Sequence, residues 1–228
     1  MDSTEKLNKA VQNVQKFCPN FKVILKKDSL LHRIIGKVLS LIGNKNYMTD
    51  FVTTIGQTCA LPSSCDMTIP DDMWEVVLHE GMHAQDSAYM TNRLFGALYL
   101  LPQLLGIITV FYGISAGIAV LCGAPLGLLW GLMGLACLAP LPALGRTYLE
   151  VRGYTVTMAV SYWTNDITDS YVDWLVSIFT GSDYYYMFWP FKGIIRNYFN
   201  GLLNQLKTSN FILTPYLLSC KQLAATLD

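Results

Sequence analysis

Residues 74–90, WEVVLHEGMHAQDSAYM, decide the reading of this chain, and Pro70-Asp71-Asp72 stand just before them. A proline and two acids suit the positive first turn of a helix, so the sequence predicts a helix opened at Pro70. Within it lies His79-Glu80-Gly81-Met82-His83. Histidines four apart on a helix sit one turn above each other, so both imidazoles can reach a single ion. Glu80, between them, points close enough to act on a water at that ion without ligating it. The pattern uses two of the three histidines in the whole chain.

A hydrolytic zinc site usually takes three protein ligands and keeps the fourth position for water. No histidine follows His83, so the third ligand is expected to be a carboxylate. The downstream candidates are Asp86, Glu150, Asp166, Asp169, Asp173, Asp183 and Asp228. Glu150 is the glutamate among them, and it falls in GRTYLEVRGYTV (residues 145–156), inside a helix expected over about 143–163. Asp86 shares the short helix with the histidines and cannot easily curl back. Glu150 is therefore preferred, with the other aspartates left as alternatives.

Composition widens the picture. The 228 residues carry sixteen basic and sixteen acidic side chains, which gives no electrostatic case for nucleic acid as a partner. Apolar residues make up 52%, charged ones only 14%, and the mean hydropathy is +0.34. This excludes intrinsic disorder and points to a lipid bilayer as partner. Residues 94–145, between Arg93 and Arg146, contain no Lys, Arg, Asp, Glu or His. One crossing needs ~20 apolar residues, so this run has room for two, 94–121 and 126–145, broken at Cys122-Gly123-Ala124-Pro125. Gly113/Gly117 and Gly127/Gly131 have the spacing that lets two helices approach closely in lipid. A hairpin returns the chain to the side it left, which lets His83 and Glu150 share an ion. Arg93 and Arg146 flank its open ends, so an integral membrane location with the metal site facing the cytoplasm is expected.

Around this centre the sequence predicts a mainly α fold with a small β element, as one domain over 1–228. Leu7, Val11, Val14 and Phe17 form one helical stripe over 4–18. A helix over 29–42 follows the cap Asp28-Ser29 and stops near Gly43. Lys26, Lys27, Arg33 and Lys37 border it, so it either rests on an anionic membrane face or packs on the core. His32 on that helix is read as a surface or partner-facing residue. Residues 51–61, FVTTIGQTCAL, read as a strand. The aromatic group Tyr184, Tyr185, Tyr186, Phe188, Trp189, Phe191, Tyr198 and Phe199 fits either an interfacial belt or core packing. The first residues, MDSTEKLNKA, lack the pattern of a signal peptide, and the six cysteines show neither a CxxC pair nor a disulfide-scaffold spacing.

HExxH, an apolar hairpin and a later helix bearing Glu150 together resemble the membrane-bound gluzincin metallopeptidases, which include prenyl-protein endoproteases and membrane quality-control proteases. The resemblance covers roughly residues 50–160, and Tyr154 stands where that family has an aspartate. It implies a zincin-like core with the transmembrane hairpin of 94–145 inserted between the ligand helices. It also implies Zn2+ held by His79, His83 and Glu150, with Glu80 as general base in the hydrolysis of peptide or protein substrates, some of them membrane-associated. Tyr154, one turn beyond Glu150, is the expected donor to the oxyanion, while Arg146 and Arg152 are candidates for orienting Glu150. The competing expectation is a non-catalytic integral membrane protein with a structural or absent metal, acting in assembly or membrane remodelling. Asp71, Asp72, Glu75 and Asp86 around the motif argue against a site buried in the bilayer.

Overall fold

The computed structural model describes residues 1–41, 45–124, 142–165, 167–181 and 187–227, with the backbone alone over 101–110. These residues are mainly helical with one small sheet. Two compact units divide them: 1–95 with 151–168 and 202–228, and 96–150 with 169–201.

In the first unit, α1 (Ser3–Gln15) starts at Asp2, whose carboxylate accepts a 2.6 Å hydrogen bond from the Glu5 amide. Its Leu7, Ala10 and Val14 are buried, and the helix packs against α3 (Met73–Met90). The sheet is three short strands in the order β1-β3-β2: β1 (Lys22–Leu25), β2 (Thr53–Ile55) and β3 (Thr58–Leu61). β3 is central, parallel to β1 with Val23 opposite Cys59, and antiparallel to β2 with Thr54 opposite Cys59. The stretch expected as one strand over 51–61 is thus a hairpin. It turns at Gly56, whose φ of +62° is a conformation that glycine adopts without strain. β1 carried no clear signal, because its residues KVIL are too few to show alternation.

Between sheet strands runs α2 (Leu30–Leu41), with Ser29 Oγ accepting from the His32 amide at 3.4 Å. The C-terminal helix α8 (Pro215–Leu227) packs on α1: the Phe17 and Tyr216 rings meet edge-on at 5.3 Å, and Ser219 Oγ donates to Asn13 Oδ1. α5 (Leu144–Thr164) is one unbroken helix, as expected for 143–163, and the division between units passes through it after Glu150.

The second unit holds most of α4 (Asn92–Leu121), the first turns of α5, α6 (Asp169–Thr180) and the start of α7 (Lys192–Lys207). Its core includes Val172, Leu175, Val176, Phe179, Ile195 and Phe199, with the Phe179 and Phe199 rings 5.6 Å apart. The aromatic segment is split. Phe188 and Phe199 are buried, whereas Trp189, Phe191 and Tyr198 are partly exposed; Tyr184–Tyr186 lie outside the described residues.

Among the described residues no helix is long and apolar enough to cross a membrane. The second arm of the expected hairpin, including Gly127 and Gly131, falls largely in 125–141, outside the described residues. Among the described residues nothing would lie within 4 Å of a Cβ at Gly113 or Gly117. The inserted transmembrane hairpin is therefore corrected, together with the integral-membrane location and the cytoplasmic orientation derived from it.

Candidate metal centre

α3 is buried along most of its length, and His79, Glu80 and His83 are all nearly inaccessible. Gly81 lies on the opposite side of the helix from the histidines. A Cβ there would strike Tyr216 Oη and come within 2.6 Å of Val14, and Tyr216 Oη donates to the Leu78 carbonyl at 2.7 Å. The glycine inside the motif thus lets α1 and α8 close on the back of the helix.

α5 packs on the front. Contacts pair Glu75 with Ser161, His79 with Thr157, and Asp86 with Arg152. The index rises along α3 as it falls along α5, so the two helices run antiparallel. Gly153 makes the close approach possible: an added Cβ would lie 2.5 Å from His79 Nε2 and 2.7 Å from Cε1. Ser161 donates to Glu75 Oε2 at 2.9 Å, and burial raises the Glu75 carboxyl above its ordinary pKa despite that bond.

The hydrogen bonds around His79 suit a metal-binding tautomer. With Thr157 Oγ1 donating to the Gly153 carbonyl at 3.3 Å, its oxygen can accept from His79 Nδ1–H, 2.9 Å away. The Nε2 lone pair then faces away from Thr157. It lies 3.1 Å from His83 Nε2, with the two rings nearly perpendicular at 4.8 Å between centroids. Two imidazole nitrogens on a tetrahedral zinc, each at ~2.0–2.1 Å, would stand about 3.3 Å apart. The observed pair is close to that spacing.

Glu150 completes the group. Ligand atoms of His79, His83 and Glu150 all lie within 4.8 Å of one another, and all three side chains are buried, so the group can hold a metal ion. Tyr99 Oη donates to Glu150 Oε1 at 2.5 Å, and the Arg146 guanidinium lies over the Tyr99 ring, 4.7 Å from its centroid. Tyr99 therefore holds one carboxylate oxygen. Two imidazoles and a carboxylate, with outer hydrogen bonds to two of the three, form a donor set that suits a hydrolytic metal.

The other residues singled out from sequence find different places. Asp86, buried, is held bidentately by Arg152 at 2.9–3.0 Å, so its carboxylate is already engaged. The Tyr154 ring packs edge-on against His79 at 4.7 Å. Asp169 and Asp173 lie on α6, where Asp173 pairs with Arg196; Asp166, Asp183 and Asp228 lie outside the described residues. His32 is buried, not on the surface: its Nδ1 meets Tyr47 Oη at 2.7 Å, and burial lowers its pKa.

Sequence reasoning missed Tyr99, Gly153, Thr157 and Lys26. Tyr99 is a lone hydroxyl in an apolar run, and Gly153 and Thr157 follow Glu150 by three and seven positions, the helical spacing of one face. The sequence places Lys26 in a basic border. It is instead fully buried, with Nζ donating to the Tyr47 carbonyl at 2.6 Å and lying 3.7 Å from the Tyr47 ring centre. Burial pushes its pKa down to about 8, and the nearby negative charge of Glu80 opposes that fall.

Comparison with protein families, curated proteins and solved structures finds no match for this chain. Its own geometry carries the functional reading.

Proposed function

We propose that the chain is a metallopeptidase in which His79, His83 and Glu150 hold Zn2+ and Glu80 is the general base. The observation that carries this reading is the convergence of the two Nε2 atoms, 3.1 Å apart, with the Glu150 carboxylate, around the side of α3 that also bears Glu80. A bound zinc would supply a Lewis acid that makes water easier to deprotonate and polarises a substrate carbonyl. Glu80 takes the proton from the attacking water and returns it to the leaving amine. Thr157 and Tyr99 keep the His79 ring and the Glu150 carboxylate in place before substrate arrives. Tyr154, against His79, is the proposed donor to the developing oxyanion. Peptide or protein chains are the proposed substrates.

A second reading, a structural metal, is favoured by one feature: every donor is buried. The two readings separate on Glu80→Gln, which keeps shape and burial. The hydrolase reading expects the variant to bind zinc as wild type does and to lose at least about a hundredfold in cleavage of an unfolded protein substrate. Undiminished cleavage removes Glu80 as the base. Zinc held firmly by wild type with no cleavage of any unfolded substrate favours the structural role.

A further inference from the structure

α2 turns its apolar stripe outward. Leu30, Ile34, Val38 and Leu41 repeat at helical spacing along one face, with Leu31 beside them, and these five residues are 51–87% exposed. The opposite face is fixed inward. His32 is bonded to Tyr47, and a Cβ at Gly36 would come within 2.8 Å of the Met48 side chain. The helix therefore cannot roll its stripe into the core without giving up that seat. Arg33 and Lys37, one turn apart and both exposed, run along the edge of the stripe, and α2 itself contains no acid. Among the described residues neither Arg33 nor Lys37 makes an ion pair, whereas Lys27, at the helix entry, is paired with Asp66.

An apolar face with cations along its border is the pattern of a helix lying in the plane of a lipid surface, its stripe among the acyl-chain ends and its cations among phosphates. We propose that α2 docks the protein onto the headgroup surface of an anionic bilayer. This is adsorption at the depth of one helix face and involves no crossing segment. A second copy of the chain is a poorer occupant, because it would bring two basic borders together with no acid on either helix to answer them. The proposal is independent of the metal centre.

The test is co-sedimentation of the full chain with vesicles of phosphatidylcholine alone and of phosphatidylcholine mixed with phosphatidylglycerol, at low and at high salt. Wild type should bind the mixed vesicles and lose most of that binding in high salt or on neutral vesicles. A basic residue near an anionic surface contributes roughly fivefold in affinity, so R33E with K37E should weaken binding at least about twentyfive-fold. I34S with V38S should weaken it as well, with helical content and thermal midpoint unchanged because the side chains are exposed. If the serine pair lowers the midpoint, the charge-reversal pair decides alone. Equal binding to neutral and anionic vesicles, no binding to either, or unchanged binding by R33E/K37E overturns the proposal. So does a wild-type dimer that the serine pair dissolves.

Discussion

α3 and α5 both build the candidate metal centre, yet they contribute in different ways. On α3 two donors and the proposed base are written into five consecutive residues, and helical geometry alone stacks them. On α5 a single donor, Glu150, depends on partners distant in sequence: Thr157 meets His79 across 78 positions, and Tyr99 meets Glu150 across 51. A local motif places ligands beside one another, but only the packing of a second helix holds them in one orientation. The difference teaches where the site is robust and where it is fragile, and substitutions on α5 that touch no donor should reveal it.

The largest effect is expected from Gly153→Ala. Its methyl would press on the His79 nitrogen that faces the metal, so the ring or the helix must move. Overpacking of this kind costs about 1–3 kcal/mol. The variant should melt below wild type and lose zinc, as read by thermal unfolding and metal analysis. An unchanged midpoint with full zinc would mean that α5 does not press on His79 as described.

Thr157→Val should act more selectively. It keeps the shape of the side chain but removes the acceptor for His79 Nδ1–H, and loss of such an outer partner typically weakens metal binding 10–100-fold. Thr157→Ser should restore most of the affinity in a zinc competition assay. If valine binds zinc as tightly as threonine, the tautomer of His79 is set some other way.

The smallest effect concerns Glu75, which joins α3 to α5 away from the donors. Burial raises its folded pKa above the unfolded value, so the folded state holds this proton more tightly. Stability from this group is fully present below the unfolded pKa and declines as pH rises through the folded one. Glu75→Gln should flatten that decline in unfolding midpoints measured from acid to neutral pH, while retaining the contact with Ser161. A decline that persists unchanged in the variant assigns it to other groups.

Much of the helical framework was legible from periodicity and caps: α1 from its stripe, α2 from Asp28-Ser29, and α3 and α5 nearly to their ends. The pairing of His79, His83 and Glu150 was legible because few residue types can serve as ligands. What the stripes could not reveal is what covers them. α1 and α2 have similar patterns, yet α1 buries Leu7, Ala10 and Val14 while α2 exposes Ile34 and Val38. The membrane hairpin was an inference of the same kind, drawn from apolar composition, which has no direction. Lys26 and His32 misled for the opposite reason: polar side chains were assigned to the surface, and a carbonyl and a hydroxyl of Tyr47 allow both to be buried.

Zinc stoichiometry of the purified chain, measured beside His79→Ala and Glu150→Ala, tests the central claim most directly. The account predicts one tightly held zinc per wild-type chain, none in His79→Ala, and a sharp loss in Glu150→Ala with the fold retained. Wild type without zinc after metal loading, or a Glu150→Ala protein that holds it as firmly as wild type, would contradict it.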